Sequence, residues 1–463
     1  MTALEVGPIQ LFGTAYDPSD LPGSSVDPLG FEAGYVALAE ALVPGLTTIT
    51  DAPRYPGMLC AGLHLAHGEA DGQTPRVAAE EKCLSALFRL ERLWAVASVL
   101  RWRQQPEERD DSFGTLRGIT YAELQVERIE DRGLTEISPD FRFLRRQRIT
   151  GAVGVYRNFL EKCGLVFENE WRLTPDLGEA LGEAFVRGTV MPAAVKRSML
   201  EGANAPVAAL RAWGQYAQPT RALLEEEKRV LREAVLASFQ RRVTLGLLRQ
   251  VGPAWLQAAP DGELHAVAEM LRLIKAGKAV RGVPPEVMPP LCATLTVIPA
   301  YEAAYRAALL GFERVLWLVR ESPGGTASDA VLRDGTVRKL PKLLRETADG
   351  LAAALDGAAE MAQPVRDALT DATSFVQDLG QRAREPKAAI EAILERHKQV
   401  QEGKLDRGHR KAPWVVEDAG AYRLTFARVG GLNRPVTEPA QIVPHNYRLR
   451  NARRFLAALE IGA

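Results

Sequence analysis

Between residues 345 and 395 apolar side chains return at alternating steps of four and three: Leu351, Leu355, Ala358, Ala362, Val365, Leu369, Ala372, Val376 and Leu379. Strand neighbours alternate faces at a step of two, so this spacing lines up on one side of a helix and not of a strand. The pattern is a heptad seam, and its many alanines imply close helix packing. Pro364 interrupts it, because proline removes an N–H and clashes with the preceding turn. It either kinks one helix or starts the second helix of an antiparallel pair. A short, alanine-rich seam of this kind suits a bundle within the chain better than a coiled-coil dimer.

The helical period recurs along the chain. A first helix runs from Phe31 through Tyr35, Leu38 and Leu42 and stops at Val43-Pro44-Gly45. Leu84, Leu87, Leu90, Trp94, Ala97 and Leu100 stripe a long helix over 77–104. Residues 192–216 and 219–250 are helical by composition. In the second of these Leu223, Leu224, Val230, Leu231, Ala234 and Leu236 are expected to face inward. Another buried helix is expected over 294–320, and the proline-rich GVPPEVMPP at 282–290 is a candidate boundary. Strand signals are sparse. Trp414-Val415-Val416 and Tyr422 to Ala427 flank Asp418-Ala419-Gly420, which predicts a hairpin near the C-terminus.

Lysine plus arginine and aspartate plus glutamate each number 58, so the formal charge is zero and any basic patch must be local. Apolar residues make up 46% and charged residues 25%, ordinary values for a globular chain. The opening MTALEVGPIQ lacks a basic region followed by an apolar core, so no signal peptide is expected. No apolar run is long enough to span a membrane. The scattered cysteines, Cys60, Cys83, Cys163 and Cys292, fit buried thiols in a reducing, cytoplasmic setting better than a disulfide framework.

The most distinctive local pattern runs from Phe141 to Arg187. A basic lead-in carries Arg142, Arg145, Arg146 and Arg148. Ile149, Val153, Tyr156, Leu160 and Cys163 then stripe a helix, with Arg157 on its polar side, and Gly164 can end it in a left-handed turn. Val166-Phe167 and Trp171-Leu173 read as two short strands around Glu168-Asn169-Glu170. Thr174-Pro175 marks a helix start, with Leu177, Leu181, Ala184 and Phe185 buried. This order of helix, "GLV", short hairpin, "LTP" and helix resembles the back half of winged-helix domains in bacterial regulators. The resemblance implies that the helix before "GLV" is a recognition helix. Arginine suits phosphates and guanine edges, so Arg145, Arg146, Arg148 and Arg157 are candidate nucleic-acid contacts. A solvated face with a protein-docking wing is the plainer alternative.

Two further stretches bear on function. Pro44, Gly45, Thr47, Thr50, Arg54 and Tyr55 form a "PGLTTIT…RY" phrase that resembles the N-terminal segment of uncharacterised bacterial proteins of anti-phage defence islands. Read from the residues alone, Thr50 or Asp51 caps a helix and Arg54 lies at its start. In the tail, Lys404, Arg407, His409, Arg410 and Lys411 precede the hairpin, and PHNYRLRNARRF ends the basic region. Lys411 and Arg448 join the candidate contacts, with Trp414, Tyr422 and Tyr447 as possible stacking partners.

No P-loop, G-x-G-x-x-G after a strand, H-E-x-x-H or G-x-S-x-G is present. His64 and His67 are three apart, but no acid or cysteine completes a metal set at nearby helical spacing. No catalytic residue, metal or cofactor is therefore expected. The expectation is a mainly α, multi-domain helical protein with a winged-helix-like segment and a small C-terminal β-hairpin. Five segments are expected: a helical domain over 1–140, the winged-helix-like segment over 141–190, a helical region over 191–285, a bundle over 286–400 and a basic tail over 401–463. The expected function is a non-catalytic subunit that binds double-stranded DNA and a protein partner, in a bacterial defence system if the resemblance holds. The alternative is a nuclease or other enzyme with a cryptic site.

Overall fold

The computed structural model describes residues 27–68, 76–109, 116–258, 260–277, 284–321, 326–406, 409–425 and 436–461. In chain order the helices are α1 (Glu32–Leu42), α2 (Tyr55–Gly68), α3 (Arg76–Gln104), α4 (Ile119–Arg132), α5 (Gln147–Thr150), α6 (Ala152–Lys162), α7 (Gly178–Gly188), α8 (Ala193–Glu201), α9 (Val207–Ala217), α10 (Glu225–Leu236), α11 (Phe239–Val251), α12 (Gly262–Lys275), α13 (Met288–Arg320), α14 (Ser328–Leu332), α15 (Gly335–Asp356), α16 (Gln363–Arg382), α17 (Pro386–Glu402) and α18 (Leu449–Ala458). The strands are short: β1 (Glu136–Ile137), β2 (Ala205–Pro206), β3 (Thr326–Ala327), β4 (Leu405–Asp406), β5 (His409–Arg410), β6 (Val415–Asp418) and β7 (Ala421–Leu424). The protein is mainly helical, as the periodicity requires. Among the described residues no helix is long and apolar enough to cross a membrane.

Two compact units share the chain, each discontinuous in sequence. One joins the stretch ending at Leu42 to Val251–Tyr447; the other joins Val43–Gln250 to the stretch beginning at Arg448. The five consecutive segments expected from sequence are thus regrouped. No unit border falls at 140 or 285, because α1 packs against α13 and α16, and α12 packs against α13. Residues 282 and 283, the start of the expected break, lie outside the described residues.

In the first unit α13 is the central helix, lined by α1, α12, α15 and α17. Tyr301 donates its hydroxyl to Phe31 O at 2.6 Å, and Phe31 meets the Tyr301 and Phe375 rings edge-on. The heptad seam is divided between α15 and α16. Pro364 lies in the first turn of α16, where its missing N–H costs nothing, and the chain turns back over 357–362 so that α16 packs along α15. Leu351, Ala358, Val365, Leu369, Ala372, Val376 and Leu379 are buried within this unit. Leu355 and Ala362 are not, because they sit at the break between the two helices. The expected hairpin is β6–β7, with Asp418 opposite Ala421. Its turn residues Ala419 and Gly420 have φ of 50° and 76°, the left-handed pair of a two-residue hairpin turn. Strand β3 adds to the other edge of β7, pairing Thr326 with Tyr422. Two residues are too few to show a strand period, so β3 is not visible in the sequence.

His397 lies inside this unit between the Phe312 and Trp414 rings. Its Nδ1 lies 2.9 Å from Pro28 O and its Nε2 accepts from Trp414 N at 2.9 Å. Only the neutral Nδ1–H tautomer satisfies both partners. Burial lowers its pKa from the ordinary 6.5 to about 4, although the contact with Pro28 O opposes the shift. The unfolded chain therefore takes up the proton first as pH falls. The stability that neutral His397 confers is complete above about pH 6.5 and is lost between about 6.5 and 4, by about 3 kcal/mol. Urea midpoints for this unit should fall over that window in the wild type and much less in His397→Gln. An equal pH dependence in both proteins would refute the assignment.

In the second unit α3 is the spine, contacted by α2, α4, α6, α8 and α9. Beyond the expected stripe, Leu93, Ala95, Val96 and Val99 are also buried, so α3 is buried all round over 93–100. Gly214 of α9 lets the helices close up: a Cβ there would collide with Ala97 O. Trp94 donates Nε1 to Ala217 O, and Trp213 donates Nε1 to Thr189 Oγ1 at 3.1 Å. The Thr47 to Tyr55 phrase is architectural. Thr47 and Thr50 hydroxyls meet at 2.6 Å, and Tyr55 stacks on Tyr156 at 4.8 Å. Arg54 is buried at 1% exposure, donates to Gln218 O at 3.1 Å and pairs with buried Glu227 at 3.4 Å. The stretch 234–241, expected as continuous helix, breaks between α10 and α11. There the guanidinium of buried Arg241 donates to Ala234 O, Val235 O, Lys162 O and Pro44 O at 2.8–3.1 Å. Leu224 and Leu236, expected inside, are exposed and half-buried respectively, because they sit at the two ends of α10.

Candidate nucleic-acid interface

From Phe141 to Leu160 the chain has five arginines and no acidic residue. Its structure is set by a few inward side chains that dock on α3 and its neighbours. Phe143 is buried beside Gly118, whose φ of +68° and missing Cβ leave room for the ring. Gln147, only 7% exposed, donates Nε2 to Phe88 O at 3.0 Å and to Glu91 Oε2 at 2.7 Å, and accepts from Arg92 Nε at 3.1 Å. Glu91 is buried, and its second oxygen accepts from Ala152 N at 2.7 Å, which fixes the start of α6. Burial pushes the Glu91 carboxyl up, and the bonds from Gln147 and Ala152 act against that. Arg117 closes the far side, donating to Thr150 O at 2.9 Å.

With Phe143 and Gln147 turned inward, Arg142, Arg145, Arg146 and Arg148 are left on the outside, all exposed. Among the described residues Arg142, Arg145 and Arg148 have no carboxylate partner. Elsewhere many exposed arginines are neutralised locally, as in Arg103–Glu127, Arg229–Glu226 and Arg382–Glu395. At the start of the segment Asp140 faces Arg89 and Arg92, at 3.1 and 3.2 Å, so its charge is occupied by α3.

Three sequence candidates leave the set. Arg157 donates to Glu161 at 3.0 Å and lies over the Trp171 ring at 5.5 Å; Glu161 also accepts from Asn169 N, so Arg157 holds the turn beside it. Arg448 is buried at 3% exposure and donates to Leu46 O. Lys411 is half-buried. The expected stacking partners Tyr422 and Tyr447 are buried, Tyr447 donating to Glu302 at 2.8 Å, and Lys404 is buried with its Nζ on Asp27 O. Arg407, Phe426, Ala427 and the side chain of His409 lie outside the described residues.

The winged-helix expectation also changes in detail. Helix α6 buries Val153, Val155, Tyr156, Phe159 and Leu160, and its most open inner positions, Gly154, Arg157, Asn158 and Glu161, are only partly exposed. A recognition helix needs an open face for a groove, and α6 presents only this half-buried stripe. The strand pair is a single bridge, Val166 to Leu173. Thr174 accepts from Gly178 N at 3.1 Å and α7 begins at Gly178, one turn later than Thr174-Pro175 implies.

The structure adds residues that sequence reading passed over. Asn451 of α18 donates to Thr47 O and Thr48 O, and Arg454 faces Asp51 at 3.5 Å. Leu449, Ala452, Phe455 and Leu456 point inward, Phe455 against Phe159, so Arg450, Arg453 and Arg454 lie on the outer side of α18. The helical period of this stretch carries that signal. His64 of α2 meets Glu179 of α7 at 2.6 Å, a partner from the folded chain that local spacing cannot show. Among the described residues no group of three or more His, Cys, Asp or Glu is placed to hold a metal. No protein-family model, curated protein or solved structure matches this chain.

Proposed function

We propose that this chain is a non-catalytic subunit that binds double-stranded DNA through Arg142, Arg145, Arg146 and Arg148. The observation that carries the reading is the exposed, acid-free arginine segment held by Phe143, Gln147 and the Glu91–Ala152 bond on the buried α3. A segment whose backbone is fixed in this way loses little backbone entropy on binding, so only the arginine side chains remain to be ordered. Arginine forks suit phosphate oxygens, and contacts of this kind position a duplex without reading its sequence. The proposal of a protein partner and a defence complex comes from the Pro44–Tyr55 resemblance.

Phosphate contacts release counterions, so the affinity for a duplex should fall steeply with salt. Removing two of the arginines, Arg145→Ala/Arg148→Ala, should weaken binding and shallow the log–log salt slope by roughly two units. Fluorescence anisotropy of a labelled duplex at several salt concentrations reads both quantities. An unchanged affinity and slope, or no binding by the wild type at low salt, would overturn the proposal.

A further inference from the structure

We propose that the outer face of α18, Arg450, Arg453 and Arg454, is a second phosphate contact of the same interface, and that Asp51 holds Arg454 until DNA displaces the carboxylate. The inference rests on the reading of the arginine segment as a duplex-binding surface.

The arginine segment and α18 are connected. Thr150, at the end of the segment, is tied through its carbonyl to Arg117. The same Arg117 guanidinium reaches Ile49 O at 3.4 Å. One residue back, Thr48 O accepts from Asn451 of α18 at 3.1 Å. Two residues on from Ile49, about 7 Å of chain at most, Asp51 faces Arg454. The loop 47–51 therefore links the arginine segment to α18 within one unit. Helix α18 is held there by Phe455 on Phe159 at 5.0 Å, by Arg232 on Leu459 O, and by Lys228 on Glu460. Its inward residues are fixed, so its outward arginines have a fixed direction.

Asp51 is an acid set among these cations: Arg454 lies against it, and Arg117 acts on it as well. Burial pushes the Asp51 carboxyl up in spite of both arginines. A phosphate arriving at Arg454 brings the same kind of oxygen with its own charge and takes over the contact. Asp51 thus acts as an internal stand-in that tempers the affinity of the second contact.

The test is anisotropy with a labelled duplex of about two helical turns across salt concentrations, using the full chain. Arg450→Ala/Arg453→Ala, both on the outer face, should weaken binding and shallow the salt slope by roughly two units. Asp51→Asn should tighten binding several-fold and steepen the slope by about one unit, and adding Arg454→Ala to it should abolish the gain. Melting curves confirm that each variant is folded, and the α18 pair tests the surface if Asp51→Asn is not. If Arg145→Ala/Arg148→Ala is weakened while the α18 pair and Asp51→Asn match the wild type, the second contact is refuted and the arginine segment stands. If the wild type does not bind the duplex, both readings fall, and an acidic protein becomes the ligand class for this surface.

Discussion

Arg241→Ala is expected to destabilise the unit that carries the arginine segment by about 3 kcal/mol or more. The guanidinium sits with 2% of its residue exposed and donates to four main-chain carbonyls: Ala234 and Val235 at the end of α10, Lys162 at the end of α6, and Pro44. Helix ends leave their last carbonyls without partners, and a cation there also matches the negative end of the helix dipole. Truncation leaves several of these oxygens buried and unsatisfied at once. Arg241→Lys should recover little, because one ammonium cannot reproduce a planar fork spread over two helix ends. The check is the urea midpoint at unchanged m-value. A loss below about 1 kcal/mol would show that water takes over the carbonyls.

A second large effect is expected at Arg54. Its burial lowers the arginine pKa from the ordinary value, with Glu227 the main opposing influence. Glu227 is fully buried, accepts from Leu224 N at 3.1 Å, and meets Arg54 at 3.4 Å. Arg54→Ala removes the cation and strands the carboxylate, which should cost about 3–5 kcal/mol. Replacing both partners by apolar residues, Arg54→Met/Glu227→Leu, should restore much of that loss, since two desolvation penalties disappear with the pair. Thermal unfolding of the single and double variants separates these outcomes. A double variant as unstable as the single would mean that packing of the Arg54 side chain, and not its charge, is what matters.

These two residues show where sequence reading stops. Arg54 is recognisable as part of a phrase and as a helix start, but Glu227 lies 173 positions away and nothing local connects them. Arg241 reads as a cation near a helix end, which it is; that it also serves a second helix end and Pro44 is a property of the packing. Periodicity is the reliable signal. It locates α1, α3 and the α15–α16 pair, and it explains Pro364 once the chain is seen to turn there. It fails where the buried stripe is thin, as at α4 with only Ala122, Val126 and Ile129, or where the strand is two residues long, as at β3.

The arginine segment is legible in the sequence as charge but not as surface. Arg145, Arg146 and Arg148 are outside because Phe143 and Gln147 are inside, and Gln147 is a polar residue that no hydrophobic pattern would select. Arg157 and Arg448 look equivalent to them in sequence. One is held over Trp171 and the other is buried against Leu46. The winged-helix resemblance describes the local order of elements and misjudges the role of α6, whose surroundings come from α2, α3 and α18.

A duplex lying on Arg142, Arg145 and Arg148 should shield them from arginine-selective modification by phenylglyoxal. Mass spectrometry with and without a saturating duplex reads this residue by residue. These three arginines are expected to be modified in the free protein and protected in the complex, while Arg103 and Arg229, exposed and paired with glutamates, react equally in both. A bound duplex that leaves Arg142, Arg145 and Arg148 as reactive as before would show that DNA sits elsewhere on the chain.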